Sequence, residues 1–364
     1  MVQRHAGITG RRTVHYPATH RQPDFTESSI RTPSSAPQAA VDYWEIIRVN
    51  YLSAGYDPTT VSLLLRSWRS GTKAAYHTYL KQWVDYAMSH GYRICKPHTR
   101  QAVAFLSSLF SRGCSYHQLN LARSALSALF TLNKSVTWGR KPIVKRQLKG
   151  VFEARPFFPK YHSTWDVQNV FNYFRSLPSL PHLSLKQLTH KLCMLLIILS
   201  GGQRCQTIHS IVVSDIHIVN STLVIPIMEK VKQTTARNHL APLRFQGYPY
   251  EPELCVVRHL AAYLRRTQDL RQCAQLFLSY IKPHRPVGKE TLSRWCTNVL
   301  KDSGIDINTY QSHSSRAATT SMAKKRGASL KTIINAAGWT NERTFAKFYD
   351  KVIDTPVSIE QCLL

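Results

Sequence analysis

The chain has 364 residues, 43% of them hydrophobic, which suits two globular domains at roughly 150 residues each. Its 48 Lys and Arg outnumber 20 Asp and Glu, giving a formal net charge of +28 at pH 7. That charge sets it apart from a near-neutral metabolic enzyme and makes a polyanion the expected partner, nucleic acid ahead of a membrane surface. The longest apolar run, Leu192 to Leu199, falls far short of the ~20 residues of a spanning helix. The opening MVQRHAGITGRR lacks the apolar stretch of a secretory signal. The eight Cys stand singly, with no CxxC pair and no Cys/His cluster of ligand spacing. Neither a zinc ribbon nor a redox motif is supported, and so many unpaired thiols suit a reducing interior.

Residues 1–40 are rich in Pro, Ser, Thr, Gln and Arg and read as a flexible basic arm. Residues 41–155 read as a helical domain with 17 Lys and Arg against five Asp and Glu, the profile of a DNA clamp. Within it Ala75, Tyr79, Trp83, Tyr86 and Ala87 make one apolar helix face, and that helix ends at Gly91. Further helices are predicted near 98–112, 115–132 and 141–153, the third with Leu119, Ala122, Leu126 and Leu129 inward. Residues 150–165 hold two Pro and mark a linker. The second domain, 156–355, mixes helix and strand, with helices near 165–176 and 185–199. Two β-branched strands in 212–227 meet at an Asn220-Ser221 turn, and 238–245 supplies a third. Helices return near 253–268, 289–302, 308–326, 329–337 and 342–350. The fold class is therefore mainly α with a small antiparallel sheet. The last residues, 356–364, form an apolar-ended tail that could meet a neighbouring copy or fold back.

Three segments of the second domain carry chemistry. SGGQRC (200–205) breaks a buried helix with two Gly and at once presents Arg204. A cation leaving a buried helix needs an anionic partner, either a structural carboxylate or a phosphate that its fork fits. In QSHSSRAATTSMAKKRG (311–327), His313 and Arg316 are three apart and share a face on a helix. That helix's first turn also offers free N–H groups to an anion. In AAGWTNERTFAKFYDK (336–351), Trp339 closes one helix and Tyr349 follows the next. A phenol has a pKa of about 10, so as a nucleophile Tyr349 would need activation.

The order Arg, hairpin with Lys, HxxR, GW and Tyr resembles the tyrosine recombinase (phage integrase) family over most of the chain. The wording of SGGQRCQTIHSI and GWTNERTFAKFYDK looks closer to recombinases of DIRS-type retrotransposons and related eukaryotic mobile elements. The resemblance implies a helical core-binding domain and a catalytic domain closing as a C-shaped clamp on double-stranded DNA. It implies a homo-tetramer acting on two DNA sites, and a nuclear setting in a eukaryotic host. It also implies a site of Arg204, Lys232, His313, Arg316, Trp339 and Tyr349, with Lys230 an alternative to Lys232 within EKVKQTT. In that site the two Arg clamp the phosphate oxygens, Trp339 donates its indole N–H, Lys232 protonates the leaving 5′-oxygen and His313 assists the Tyr349 proton. The product is a 3′-phosphotyrosyl bond and a 5′-hydroxyl, formed without ATP or an obligate metal.

Two positions depart from the family's pattern. Thr207 stands where many members have an acid three residues after the first Arg, and Tyr349 is ten rather than nine residues past Trp339, with Phe348 at the ninth. Neither removes a chemical group. The alternatives are a DNA-binding descendant without turnover and a type IB topoisomerase, which uses the same chemistry on one duplex.

Overall fold

A computed structural model describes residues 42–130, 137–158, 161–220 and 222–354. The expected basic arm, the C-terminal tail and Ser221 of the hairpin turn lie outside them. The chain divides between Phe157 and Phe158 into two compact units.

Among the described residues the first unit holds six α-helices: α1 (Tyr43–Ser53), α2 (Pro58–Arg66), α3 (Ser70–Ser89), α4 (Thr99–Ser111), α5 (Tyr116–Phe130) and α6 (Pro142–Ala154). Sequence reading gave no individual boundaries for α1 and α2. Each starts on an Asp cap: Asp42 accepts from the Trp44 N–H, and Asp57 from those of Thr59 and Thr60. The stripe predicted on α3 faces the core, with Tyr79, Trp83 and Ala87 buried and Tyr86 at its edge. Trp83 packs edge-on against Phe105 and Phe130, both at 5.4 Å, and its indole N–H donates to the Ile94 carbonyl at 2.9 Å. Large amphipathic rings thus fill the centre while their polar edge stays bonded. Leu119, Ala122, Leu126 and Leu129 of α5 complete that core.

The second unit contains β1 (Ser163–Thr164), α7 (Val167–Ser176), α8 (Leu185–Leu199), α9 (Cys205–His209), β2 (His217–Val219), β3 (Thr222–Ile225) and β4 (Leu243–Gln246). It continues with α10 (Val256–Thr267), α11 (Lys289–Asp302), α12 (Ser315–Lys325), α13 (Leu330–Ala337), α14 (Glu342–Phe348) and β5 (Val352–Ile353). Helix α8 is the hub. Every residue from Leu188 to Ile198 is buried, so α10, α11 and α12 can surround it. Its start is a capping box, with Ser184 and Gln187 satisfying each other's backbone N–H. The sheet is antiparallel in the order β2-β3-β4, with Leu223 opposite Ile218 on one side and Phe245 on the other. Strands β1 and β5 form a separate parallel pair that sequence reading missed, since two residues carry no periodic signal. No described helix is long and apolar enough to cross a membrane.

Several boundaries differ from the sequence expectation. Helix α6 runs to Ala154, so the linker is shorter than 150–165. The helix expected from 308 begins at Ser315. Gly304 (φ +77°) ends α11, and the following loop holds Tyr310 buried before a 3-10 turn at Ser312–Ser314. His313 therefore sits in that turn and not on an α-helical face shared with Arg316. The N–H of Ser314 is already bonded to the Gln311 carbonyl, which removes one of the donors expected for an anion. Strand β2 is only three residues because residues 213–215 form a 3-10 turn. Strand β4 starts after Pro242, which has no N–H to give a ladder.

Buried histidines make the fold pH-sensitive. His190 of α8 packs between Tyr280 and Trp295, both at 5.5 Å, and its Nε2 has no partner. Burial, with Lys186 adding to it, pushes its pKa down to about 4. The unfolded chain binds a proton there near pH 6.5 and the folded one does not, so stability falls as pH drops from 6.5 to about 4. His259, also lowered by burial, adds to the fall. Denaturant melts across that window should show His190→Phe flattening the slope by on the order of 3 kcal/mol at most.

Candidate active site

The end of α8 sets the first cation. Gly201 (φ +86°) and Gly202 (φ +74°) turn the chain in left-handed conformations, and Arg204 then caps α9. Gly202 lies so close to α12 that a Cβ there would sit 2.9 Å from the Arg316 Cα, against backbone that cannot give way. Gly202→Ala should therefore cost about 2–4 kcal/mol in thermal or denaturant unfolding. Gly304→Ala, also left-handed but in open space, should cost only about 1–2 kcal/mol.

Arg316, the second residue of α12, is 2% exposed. Its Nη1 donates to the Gly202 carbonyl at 2.9 Å and its Nη2 to the Ala337 carbonyl. The guanidinium lies 4.5 Å from the Trp339 ring centroid and 5.5 Å from that of Tyr349. Burial, then the like charge of Arg204, push its pKa down to about 9, while the Tyr349 phenol acts the other way. The group remains a cation at neutral pH. A buried cation held by neutral carbonyls, with no carboxylate bonded to it among the described residues, is a strong receptor for an oxyanion.

Trp339 and Tyr349 form the opposite side. Gly338 (φ +66°) ends α13 in a left-handed cap, which turns Trp339 inward to 8% exposure. The Trp339 and Tyr349 rings are 4.7 Å apart, and His313 is 6.3 Å from Tyr349. Tyr349 caps α14, and its carbonyl accepts from the Ser321 hydroxyl at 2.8 Å. The same hydroxyl accepts from the Lys351 N–H at 3.0 Å. Just beyond, the Asp354 carboxylate accepts from the Tyr310 hydroxyl at 2.6 Å and the Ser163 hydroxyl at 2.8 Å, which fixes β5 beside β1. The segment carrying the phenol is therefore pinned on both sides.

The structure thus gathers Arg204, His313, Arg316, Trp339 and Tyr349. The field of Lys232 reaches the same place. Burial, followed by Arg204, Arg316 and Lys232, lowers the His313 pKa, so its ring is neutral at pH 7 with one nitrogen able to accept a proton. Lys232 and Lys230 are both exposed, and Lys232 is among the charges that lower His313. Three buried donors here have no partner: Arg204 Nη1, Arg316 Nε and Trp339 Nε1. Such groups are costly to leave unbonded, and at this site they are available to an anion. Arg204, Gln206, Lys289, His313 and Arg316 line a cavity of about 310 Å³. The Cys205 thiol, which lines it, is raised by its hydrogen bond to Cys296 and by burial, so it stays protonated and is a poor competing nucleophile. Among the described residues, no group of three His, Cys, Asp or Glu could hold a metal ion.

Sequence reasoning missed Gln203, which is 3% exposed and donates from Nε2 to the Ala336 carbonyl at 2.6 Å. It also missed Ser321 and Asp354. All three act through backbone or hydroxyl contacts that span long stretches of chain, and their only signal was adjacency to a motif.

Residues 176–354 match the phage integrase family. No curated protein matches the chain. Among solved structures, XerH site-specific recombinase bound to difH substrate in a pre-cleavage complex aligns with TM-score 0.55 and 13% identity. That alignment covers 85% of this chain and 92% of the other. The Tn1549 transposon integrase in complex with transposon right end DNA aligns with TM-score 0.52 and 12% identity, over 89% and 98%. At these identities the likeness concerns the fold.

Proposed function

Since residues 176–354 belong to the phage integrase family, we propose that the chain is a tyrosine recombinase that cuts and rejoins DNA strands through a phosphotyrosyl intermediate. The observation that carries this reading is the trio of unmet donors, Arg204 Nη1, Arg316 Nε and Trp339 Nε1, with Arg204 beside Arg316 and with Arg316 and Trp339 both against the Tyr349 ring. An in-line attack forms the Tyr349 Oη–P bond and breaks the bond from phosphorus to the 5′-oxygen. Negative charge grows on the non-bridging oxygens, where Arg204 and Arg316 offset it and the Trp339 indole N–H donates to one of them. Neutral His313 accepts the phenol proton, and Lys232 protonates the departing 5′-oxygen. The phosphodiester energy stays in the adduct, so attack by another 5′-hydroxyl rejoins the strand without an external energy source.

The substrate is double-stranded DNA. The net charge of +28 supports a backbone-led, salt-sensitive grip. The motif wording of SGGQRCQTIHSI and GWTNERTFAKFYDK supports a mobile-element recombinase of the DIRS type working in a nucleus, as a homo-tetramer on two sites. The test is covalent trapping on a library of randomised duplexes carrying a nick, so that the cut 5′ fragment diffuses away and rejoining fails. A denaturation-resistant protein–DNA adduct supports the reading. Tight, salt-dependent binding with no adduct supports a DNA-binding protein without turnover.

A further inference from the structure

We infer that Gln233, held by Gln203, is a positioning residue that sets Lys232 against the leaving 5′-oxygen. This rests on the role given to Lys232 above. Lys232 stands at the tip of a tight turn. The Thr234 N–H donates to the Val231 carbonyl at 3.0 Å, and the Val231 N–H to the Thr234 hydroxyl at 3.1 Å. Val231 is 1% exposed and roots one side of that turn, while Lys232 projects from it. The next side chain decides where the tip points.

That side chain is Gln233. Its Nε2 donates to the Gln203 Oε1 at 3.4 Å, and the buried Thr207 hydroxyl donates to the same oxygen at 3.3 Å. Gln203 in turn donates to the Ala336 carbonyl at 2.6 Å. Gln203 immediately precedes Arg204, and Ala336 immediately precedes Ala337, whose carbonyl holds Arg316. One neutral amide chain therefore ties the lysine turn, both arginines and the α13 end into a single frame. Thr207 stands where an acid would bind such a frame by charge. Here the Thr207 hydroxyl and two carboxamides do so without adding a negative charge beside the phosphate site. Leu240 fixes the far side of the lysine loop: a Cβ on Gly338 would meet its Cδ1 at 2.6 Å and the Gln233 Cγ at 3.4 Å. A lysine on a flexible four-carbon stem needs such support to meet one oxygen in one geometry.

The experiment uses the full chain and the duplex recovered by trapping, made with either oxygen or sulfur at the 5′-bridging position of the scissile phosphate. Sulfur leaves as a thiolate without needing a proton, so it bypasses any acid. The readout is the ratio of the two cleavage rates, in which a misfolded fraction cancels. Lys232→Ala should slow the oxygen substrate by about 10²–10⁴-fold and cleave the sulfur substrate at nearly the parental rate. Gln233→Ala and Gln203→Ala should show the same pattern at about ten- to hundred-fold. If Lys232→Ala is not rescued by sulfur, the role of Lys232 fails and the relay falls with it. If Lys232→Ala is rescued while Gln233→Ala slows both substrates equally, or neither, the positioning role is overturned and Lys232 keeps its own.

Discussion

Tyr349→Phe is expected to abolish the covalent adduct and to slow strand cleavage by at least about 10⁴-fold, because the substitution deletes the one atom that bonds to phosphorus. The same variant should keep its fold and its grip on DNA. The ring remains in place against Trp339 at 4.7 Å, its backbone remains bonded to Phe345 and Ser321, and only a hydroxyl is lost. The stability change should stay within about 1 kcal/mol. Cleavage assays on trapped duplexes, thermal unfolding and a binding titration check the three parts separately. A variant that still forms the adduct would move the nucleophile elsewhere. The nearest alternative phenol in sequence terms is absent, since the ninth position past Trp339 is Phe348.

Arg316→Lys should act on stability and chemistry together. Arginine spans two carbonyls, Gly202 and Ala337, while its guanidinium faces Trp339. An ammonium keeps the charge but cannot fork between them, so one buried carbonyl is left unpaired and the cation moves off its position. Cleavage should drop by about 10²–10³-fold and stability by about 2–4 kcal/mol. Arg204→Lys provides the contrast. Its Nη1 has no protein partner, so the loss in rate should be of the same order with much less loss in stability. Parallel denaturant melts and single-turnover cleavage of the two variants distinguish them. Equal destabilisation would contradict the division of labour between a structural clamp and an open one.

The residues that meet at the site were legible because each carries a charge or a ring inside a segment with strong local signals. The apolar run into Gly201-Gly202 marked both a buried helix and its abrupt end, and eleven consecutive buried residues of α8 bear that out. The α3 stripe was equally readable, since tertiary packing uses the face that periodicity exposes. The start of α12 was misplaced because Ser, Gln and Asn near 308–314 suit a loop or a helix, and the decision lies with Tyr310 and Asp354, 44 residues apart. Gln203 and Gln233 were silent for a related reason. A neutral amide announces nothing by itself, and the three partners of Gln203 come from the middle of α9, the lysine turn and the α13 end. The β1–β5 pair was invisible at two residues per strand, although it pins the chain just after Tyr349.

The most direct measurement is the chemical identity of the linkage itself. The trapped adduct would be digested with protease and nuclease and the surviving peptide–nucleotide conjugate sequenced by mass spectrometry. A single conjugated peptide is expected, with the phosphate ester on the Tyr349 phenol and the nucleotide attached through its 3′-oxygen. A 5′-linked nucleotide, or an ester on any other side chain, would contradict it.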